Sequence, residues 1–171
     1  MNYQRHTAIV NRAEPGVRGE TGDGLWTDEP DVPILALGAD CALVALARIN
    51  GDRPAVGVVH AGRIGVLAGA LEAGLAALGG KVAAAIGPTI GPCCYEVGEE
   101  VTAAYRARFG SGIVRDGKLD LWRAAEARLR EAGAASVERL DLCTCCNPDL
   151  FFSYRRDGKP RGGHGVLARV A

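Results

Sequence analysis

The sequence lacks an excess of either charge: Lys plus Arg equals Asp plus Glu at 20 each, for a formal net charge of zero. A chain balanced in this way has no general attraction for nucleic acid or acidic membrane surfaces, so neither is expected as a partner. It also lacks any apolar run near the ~20 residues that a membrane-spanning helix needs. Its first residues are polar and carry no apolar core of the kind found in export signals, so a cytoplasmic protein is the expectation. Histidine is scarce, with three copies.

What is present suits one domain with a substantial core: 171 residues, 48% hydrophobic and 23% charged, spanning 1–171. Six cysteines stand out: Cys41, Cys93, Cys94, Cys143, Cys145 and Cys146. In a secreted chain they would suggest disulfides. Without an export signal, thiols that are buried, reactive or metal-bound fit a reducing compartment better. Cys143-Thr144-Cys145-Cys146 contains one C-x-x-C, which could join Cys93-Cys94 in a four-thiolate zinc site. Adjacent cysteines chelate poorly and no second C-x-x-C exists, so a core role or a redox pair is preferred.

Periodicity predicts strands over Arg5–Asn11, Leu25–Thr27, Val32–Leu37, Cys41–Ile49, Ala55–Val59 and Val82–Ile86, with closing strands over Val137–Leu142, Phe151–Arg155 and Gly165–Val170. Asn50-Gly51-Asp52 reads as a hairpin turn. Glu14–Gly24 and Gly87–Pro92 read as loops. A turn at Gly62–Gly65 leads into a helix over Val66–Leu78, with Leu67, Leu71, Leu75 and Leu78 on one stripe and Gly79-Gly80 as its stop. A second helix is expected over Glu96–Phe109. A third, capped by Asp120, runs to Ala132 with Trp122, Ala125, Leu129 and Ala132 on its inner stripe. Strands and helices mix without strict βαβ alternation, which predicts an α+β fold with a mixed sheet.

The chemistry-bearing stretch runs from Ala39-Asp40-Cys41 to His60-Ala61-Gly62-Arg63-Ile64-Gly65. Cys41 and His60 stand at opposite ends of two adjacent predicted strands, and His6 lies near the start of the chain. Thiolate and imidazole suit a borderline-soft ion such as zinc, and three protein ligands leave a fourth position open. A zinc ion brings the pKa of its water to roughly 7. The plain alternative is a buried cysteine with two satisfied histidines. A second chemical reading makes Cys41 a nucleophile with His60 as its base, which leaves His6 without a role. The Gly62–Gly65 turn between strand and helix favours an anion, and Arg63 adds a cation; a tight turn alone explains it equally well. The spacing does not match G-x-G-x-x-G. Ser153-Tyr154-Arg155-Arg156-Asp157-Gly158 sets two arginines beside a hydroxyl, where guanidinium forks can grip phosphate or carboxylate. A solvated charged turn is the simpler reading of that stretch.

In order along the chain stand Gln4-Arg5-His6, Ala39-Asp40-Cys41, His60-Ala61-Gly62, Ile86-Gly87-Pro88-Thr89-Ile90-Gly91, Cys94-Tyr95-Glu96-Val97-Gly98, Cys143-Thr144 and Phe152-Ser153-Tyr154-Arg155-Arg156-Asp157-Gly158. This ordered set resembles the bacterial laccase-domain or polyphenol-oxidase-like family over nearly the whole chain. The resemblance implies a mixed α/β/β/α sandwich and a purine nucleoside enzyme. It implies phosphorolysis of adenosine, inosine, guanosine and methylthioadenosine, and zinc-dependent deamination of adenosine. The family's two-histidine, one-cysteine metal site maps onto His6, Cys41 and His60. Purine nucleoside and phosphate become the implied partners, with Gly62, Arg63, Gly65, Tyr95, Glu96, Ser153, Arg155 and Arg156 as candidate lining residues. Asp40 is the nearest carboxylate in sequence for proton transfer. The oligomeric state stays open, a homodimer included.

Two departures matter. The family usually reads His-Ala-Gly-Trp-Arg-Gly, whereas Arg63 and Ile64 fill the fourth and fifth places here. Either Arg63 grips phosphate from the neighbouring position or phosphorolysis is lost. Relatives also carry a substantial segment before the first histidine motif, so strands covering the sheet are expected to be missing. Copper-dependent phenol oxidation is a rival, but three histidines in all cannot supply a multicopper centre. A thiol hydrolase and a scaffold without turnover are two further rivals.

Overall fold

The computed structural model describes residues 1–16, 19–51, 53–159 and 162–171. Along the chain come β1 (Val10–Arg12), β2 (Gly24–Thr27), β3 (Ile34–Gly38), β4 (Ala42–Arg48), β5 (Val56–Ala61), α1 (Arg63–Ala68), α2 (Ala70–Leu78) and β6 (Val82–Ile86). Then follow α3 (Glu99–Phe109), a small hairpin of β7 (Val114–Arg115) and β8 (Lys118–Leu119), α4 (Leu121–Glu131), β9 (Ser136–Arg139), α5 (Tyr154–Asp157) and β10 (His164–Ala168). The main sheet has the order β1-β2-β5-β4-β6-β9, and β10 pairs with β3 in a second sheet. In the main sheet β1–β2 and β6–β9 are parallel and the other neighbours antiparallel, so it is mixed as expected.

The apolar runs of β4 and β5 follow from burial on both faces. Side chains alternate between two clusters: Ala42, Val44, Leu46, Val59 and Ala61 meet the helices, whereas Leu43 and Val58 meet Ile34 and Ala36 of β3. Helices, main sheet and second sheet thus make three layers, and the described residues supply no helical layer beyond the second sheet. Each Leu fully removed from water, such as Leu71 or Leu78 in α2, contributes roughly 1.5–3 kcal/mol.

Several expectations are corrected. The first strand begins at Val10 rather than Arg5, because the backbone at Arg5, His6 and Thr7 wraps around the carboxylate of Asp23 instead of joining the sheet. The helix expected from Val66 starts at Arg63, so Gly62–Gly65 is partly helical, and it breaks at Gly69, whose φ of 92° suits glycine. Leu67 lies on the exposed side of that break, off the buried stripe of Leu71, Leu75 and Leu78. The second helix begins at Glu99, three residues later than expected. The third is capped by Asp120, which accepts the Arg123 amide at 2.9 Å, and buries Leu121, Ala124, Ala125 and Leu129. Phe151–Arg155 is not a strand. Ser153 accepts the amide of Arg156 and caps α5 instead. The expected Asn50-Gly51-Asp52 turn includes Asp52, outside the described residues, as do Val17 and Arg18 of the Glu14–Gly24 loop. No helix among the described residues is long and apolar enough to cross a membrane.

Candidate active site

The antiparallel register that pairs Leu43 with His60 and Ala42 with Ala61 brings the start of β4 beside the end of β5. Cys41 and His60 therefore meet despite their distance in sequence. His6 joins them through Asp23, which directly precedes β2. One Asp23 oxygen accepts the His6 amide at 3.0 Å and His60 Nδ1 at 2.8 Å. The other accepts the Arg5 amide at 3.1 Å, the Thr7 amide at 2.6 Å and the Thr7 hydroxyl at 2.8 Å. These bonds hold His6 in a left-handed conformation with φ 61°. The His60 amide also donates to the Asp23 carbonyl at 2.7 Å.

The result is a cluster in which one donor atom each from His6, Cys41 and His60 lies within 4.8 Å of the others. Cys41 Sγ stands 3.8 Å from His6 Nε2. The two imidazole rings meet edge to face, with centroids 4.9 Å apart. A Cβ on Gly62 would come 2.7 Å from Cys41 Sγ and 2.9 Å from His6 Cδ2. Only glycine lets the backbone pass this close beneath Cys41 and His6.

The electrostatics favour a cation here. Burial opposes the Asp23 charge, yet the donors from Thr7, His60 and Arg5 outweigh it and hold its pKa down at about 2. A carboxylate can only accept, so the shared proton sits on His60 Nδ1 and leaves Nε2 with its lone pair. Burial lowers the His60 pKa, Asp23 opposes that, and His6 adds to the lowering, so the ring is neutral near pH 7. Burial and then Asp40 push the Cys41 thiol up to about 12 against the pull of Arg63. Left alone, Cys41 is a protonated thiol beside a neutral imidazole, which is a poor nucleophile pair. Two imidazoles and one thiol, with a carboxylate fixing one ring from behind, form a donor set that fits a zinc-like ion.

The cluster opens onto a cleft of about 460 Å³ lined by His6, Asp40, Cys41, His60, Arg63, Tyr95, Tyr154 and Arg155 among others. A larger cleft of about 600 Å³ lies near Met1, Arg12 and Ile34 but holds none of the predicted site residues. The Arg155 guanidinium lies 5.2 Å from the centroid of the Tyr95 ring and donates to the Glu96 carbonyl at 2.8 Å. Asp40, with φ 90°, ties the cleft walls together. Its carboxylate accepts the Thr144 hydroxyl at 2.6 Å and the Arg155 amide at 2.7 Å, and its carbonyl accepts the Ile90 amide at 2.9 Å.

The remaining expected lining residues have different duties. Ser153 is fully buried as the α5 cap. Arg156 turns its guanidinium to the carbonyls of Thr144, Cys145 and Phe151 and to Asp157. The Glu96 side chain faces solvent, and Gly65 lies against Ala70 and the His60 carbonyl without lining the cleft. The third histidine, His164, stacks edge-on against Phe151 rather than joining the cluster. Sequence reasoning does not point to Asp23, and it carries Thr144 only within the Cys143-Thr144 motif, without a role. Neither has a spacing signal, since both act across the fold on residues far away in sequence.

A family model described as multi-copper polyphenol oxidoreductase laccase matches residues 1–170. The chain belongs to this laccase-domain family. A Xylella fastidiosa protein named purine nucleoside phosphorylase is 38% identical over 162 residues, covering 88% of this chain and 61% of that protein. An Aquifex aeolicus protein of the same name is 35% identical over 167 residues, covering 92% of this chain and 76% of that one. The crystal structure of the Bacillus licheniformis hypothetical protein YfiH superposes with a TM-score of 0.87 at 28% identity, covering 97% of this chain and 72% of that structure. The chain thus spans 61% of the length of the Xylella relative, and the α+β fold with a mixed sheet and flanking helices is the one expected from the sequence.

Proposed function

We propose that this chain, acting as one domain, is a zinc-dependent purine nucleoside enzyme that cleaves the glycosidic bond with phosphate and also deaminates adenosine. The observation that carries the reading is the convergence of His6, Cys41 and His60 at the floor of a cleft walled by Tyr95, Tyr154, Arg63 and Arg155. Ligand pockets run from about 300 to 1,000 Å³, and this cleft suits a nucleoside. The names of the Xylella and Aquifex relatives support the same substrate class.

His6, Cys41 and His60 would hold the ion, and Asp23 would fix the His60 ring. When bound, zinc supplies Lewis-acid polarisation and makes a water acidic at neutral pH. Tyr95 and Tyr154 offer aromatic faces to the purine. Arg63 and Arg155 flank the cleft as cations for phosphate, so Arg63 takes over from the neighbouring place in the altered motif. In phosphorolysis a phosphate oxygen bonds to C1′ as the C1′–N9 bond breaks, and the purine leaves with the electron pair and takes up a proton. In deamination water adds at C6 and ammonia leaves. Asp40 lines the cleft, where its carboxylate positions Arg155 and Thr144 with one bond on each oxygen and keeps lone pairs for the proton transfer expected of it.

The copper oxidase reading is weaker on ligand arithmetic, since His164 stands apart and two imidazoles remain. The test is incubation of metal-analysed protein with adenosine, with and without phosphate. Adenine formed only with phosphate supports phosphorolysis, and inosine supports deamination. Neither product from zinc-loaded protein would sink the proposal, and full activity without metal would return the case to Cys41 as a nucleophile.

A further inference from the structure

A second group of ligand atoms lies outside that site. The turn after β6 carries Cys93 and Cys94, and the turn after β9 carries Cys143 and Cys146. Their four sulfur atoms lie within 4.8 Å of one another. Cys146 Sγ is 3.5 Å from Cys93 Sγ and 3.4 Å from Cys94 Sγ. Zinc–sulfur bonds of about 2.3 Å in a tetrahedron put neighbouring sulfurs about 3.8 Å apart. The two observed separations fall within about 0.4 Å of that edge, and all four sulfurs stay within 4.8 Å of one another. The objection that adjacent cysteines cannot share an ion is met by the turn, which brings both Cys93 and Cys94 to Cys146.

We propose that Cys93, Cys94, Cys143 and Cys146 form a second, structural zinc site. Four sulfur donors in a closed tetrahedron favour zinc among divalent ions and leave no open position for substrate. Binding replaces four thiol protons with one divalent ion, so the loaded site carries a net charge of −2. Two features of the fold answer that charge. The Gly91 amide donates to Cys143 Sγ at 3.2 Å. The Arg156 guanidinium lies against the same turn, donating to the Thr144 and Cys145 carbonyls at 3.0 and 3.2 Å. This gives Arg156 a purpose that the substrate reading did not.

The site staples two walls of the cleft. The first turn leads into Tyr95, and the second contains Thr144, which holds Asp40. Without a metal, the nearby ties between these turns include the backbone bonds of Thr89 to Leu142 and Thr144, at 3.2 and 3.3 Å, and the Gly91 amide on Cys143 Sγ. The zinc therefore serves the shape of the cleft, not its chemistry, and stands or falls independently of the nucleoside reading.

Zinc content after dialysis, and the spectrum after cobalt substitution, test the proposal in wild type, Cys41→Ser and the Cys143→Ser/Cys146→Ser double variant. Wild type should bind two equivalents. Cys41→Ser should keep one equivalent, with the intense sulfur-to-cobalt charge transfer of a thiolate-rich site. The double variant should lose one equivalent and that spectrum. If the double variant does not fold, X-ray absorption of zinc-loaded wild type decides: more sulfur per zinc than a one-cysteine site provides supports the proposal. One equivalent in wild type, abolished by Cys41→Ser, overturns it. So does a disulfide mapped between Cys146 and Cys93 or Cys94 in protein purified under reducing conditions.

Discussion

Replacing Asp23 by Asn tests the geometry most directly, because it keeps the shape and removes the charge. The carboxylate accepts five hydrogen bonds from Arg5, His6, Thr7 and His60. Its pKa falls from 3.8 to about 2. At about 1.36 kcal/mol per pKa unit, and allowing for screening by water in the adjacent cleft, that is ~2 kcal/mol of stability. The sign follows from the depressed value. The contribution is complete above pH 3.8 and is lost as pH falls through 3.8 toward about 2. Asn also turns one acceptor into a donor that faces other N–H groups, which costs about 1–3 kcal/mol more. Urea unfolding at pH 7 should therefore show D23N destabilised by about 3–5 kcal/mol, with the wild-type acid limb below pH 4 flattened. Because Asp23 orients His60 and shapes the His6 turn, zinc affinity should drop about 10–100-fold. A variant within ~1 kcal/mol of wild type, with unchanged zinc affinity, would show that Asp23 does not organise the site.

Gly62→Ala should lower zinc affinity at least ~10-fold, measured by competition with a chelating dye, because its Cβ would crowd Cys41 and His6. Tyr105→Phe should cost about 1 kcal/mol in urea unfolding, since the buried hydroxyl donates to the Arg63 carbonyl at 2.8 Å. Arg155→Ala should raise KM for phosphate about tenfold or more while leaving the melting temperature nearly unchanged; Arg156→Ala should do the reverse, lowering the melting temperature because its guanidinium holds three carbonyls.

Short unbroken apolar runs are the most legible part of the sequence. β6 matches its expected bounds of Val82–Ile86 because an unbroken apolar run between glycines has no competing reading. The stretch around His6 misled because Arg5–Asn11 alternates like a strand, while the Asp23 carboxylate captures its amides first. Phe151–Arg155 misled similarly: its aromatic residues favour a strand, but Ser153 supplies a helix cap. Cys41, His60 and His6 could be selected as residue types, yet their meeting depends on the β4–β5 register and on a side chain in a loop. Nothing local in the sequence encodes either. The four-sulfur cluster is named by the sequence but set aside there, because only the turns after β6 and β9 show how two adjacent cysteines reach a C-x-x-C pair.

The Asp40 bonds have a consequence for how the molecule assembles. They join this residue to Thr144 and Arg155, 104 and 115 positions away. Contacts this distant along the polymer form only after a large entropic loss from closing the intervening chain. The β4–β5 hairpin can therefore consolidate while the mouth above it is still open, and the amides of Ile90 and Arg155 should gain exchange protection later than those of Val58 and Val59 in pulse-labelled refolding. The cleft is thus expected to be completed last, on a platform that is already rigid.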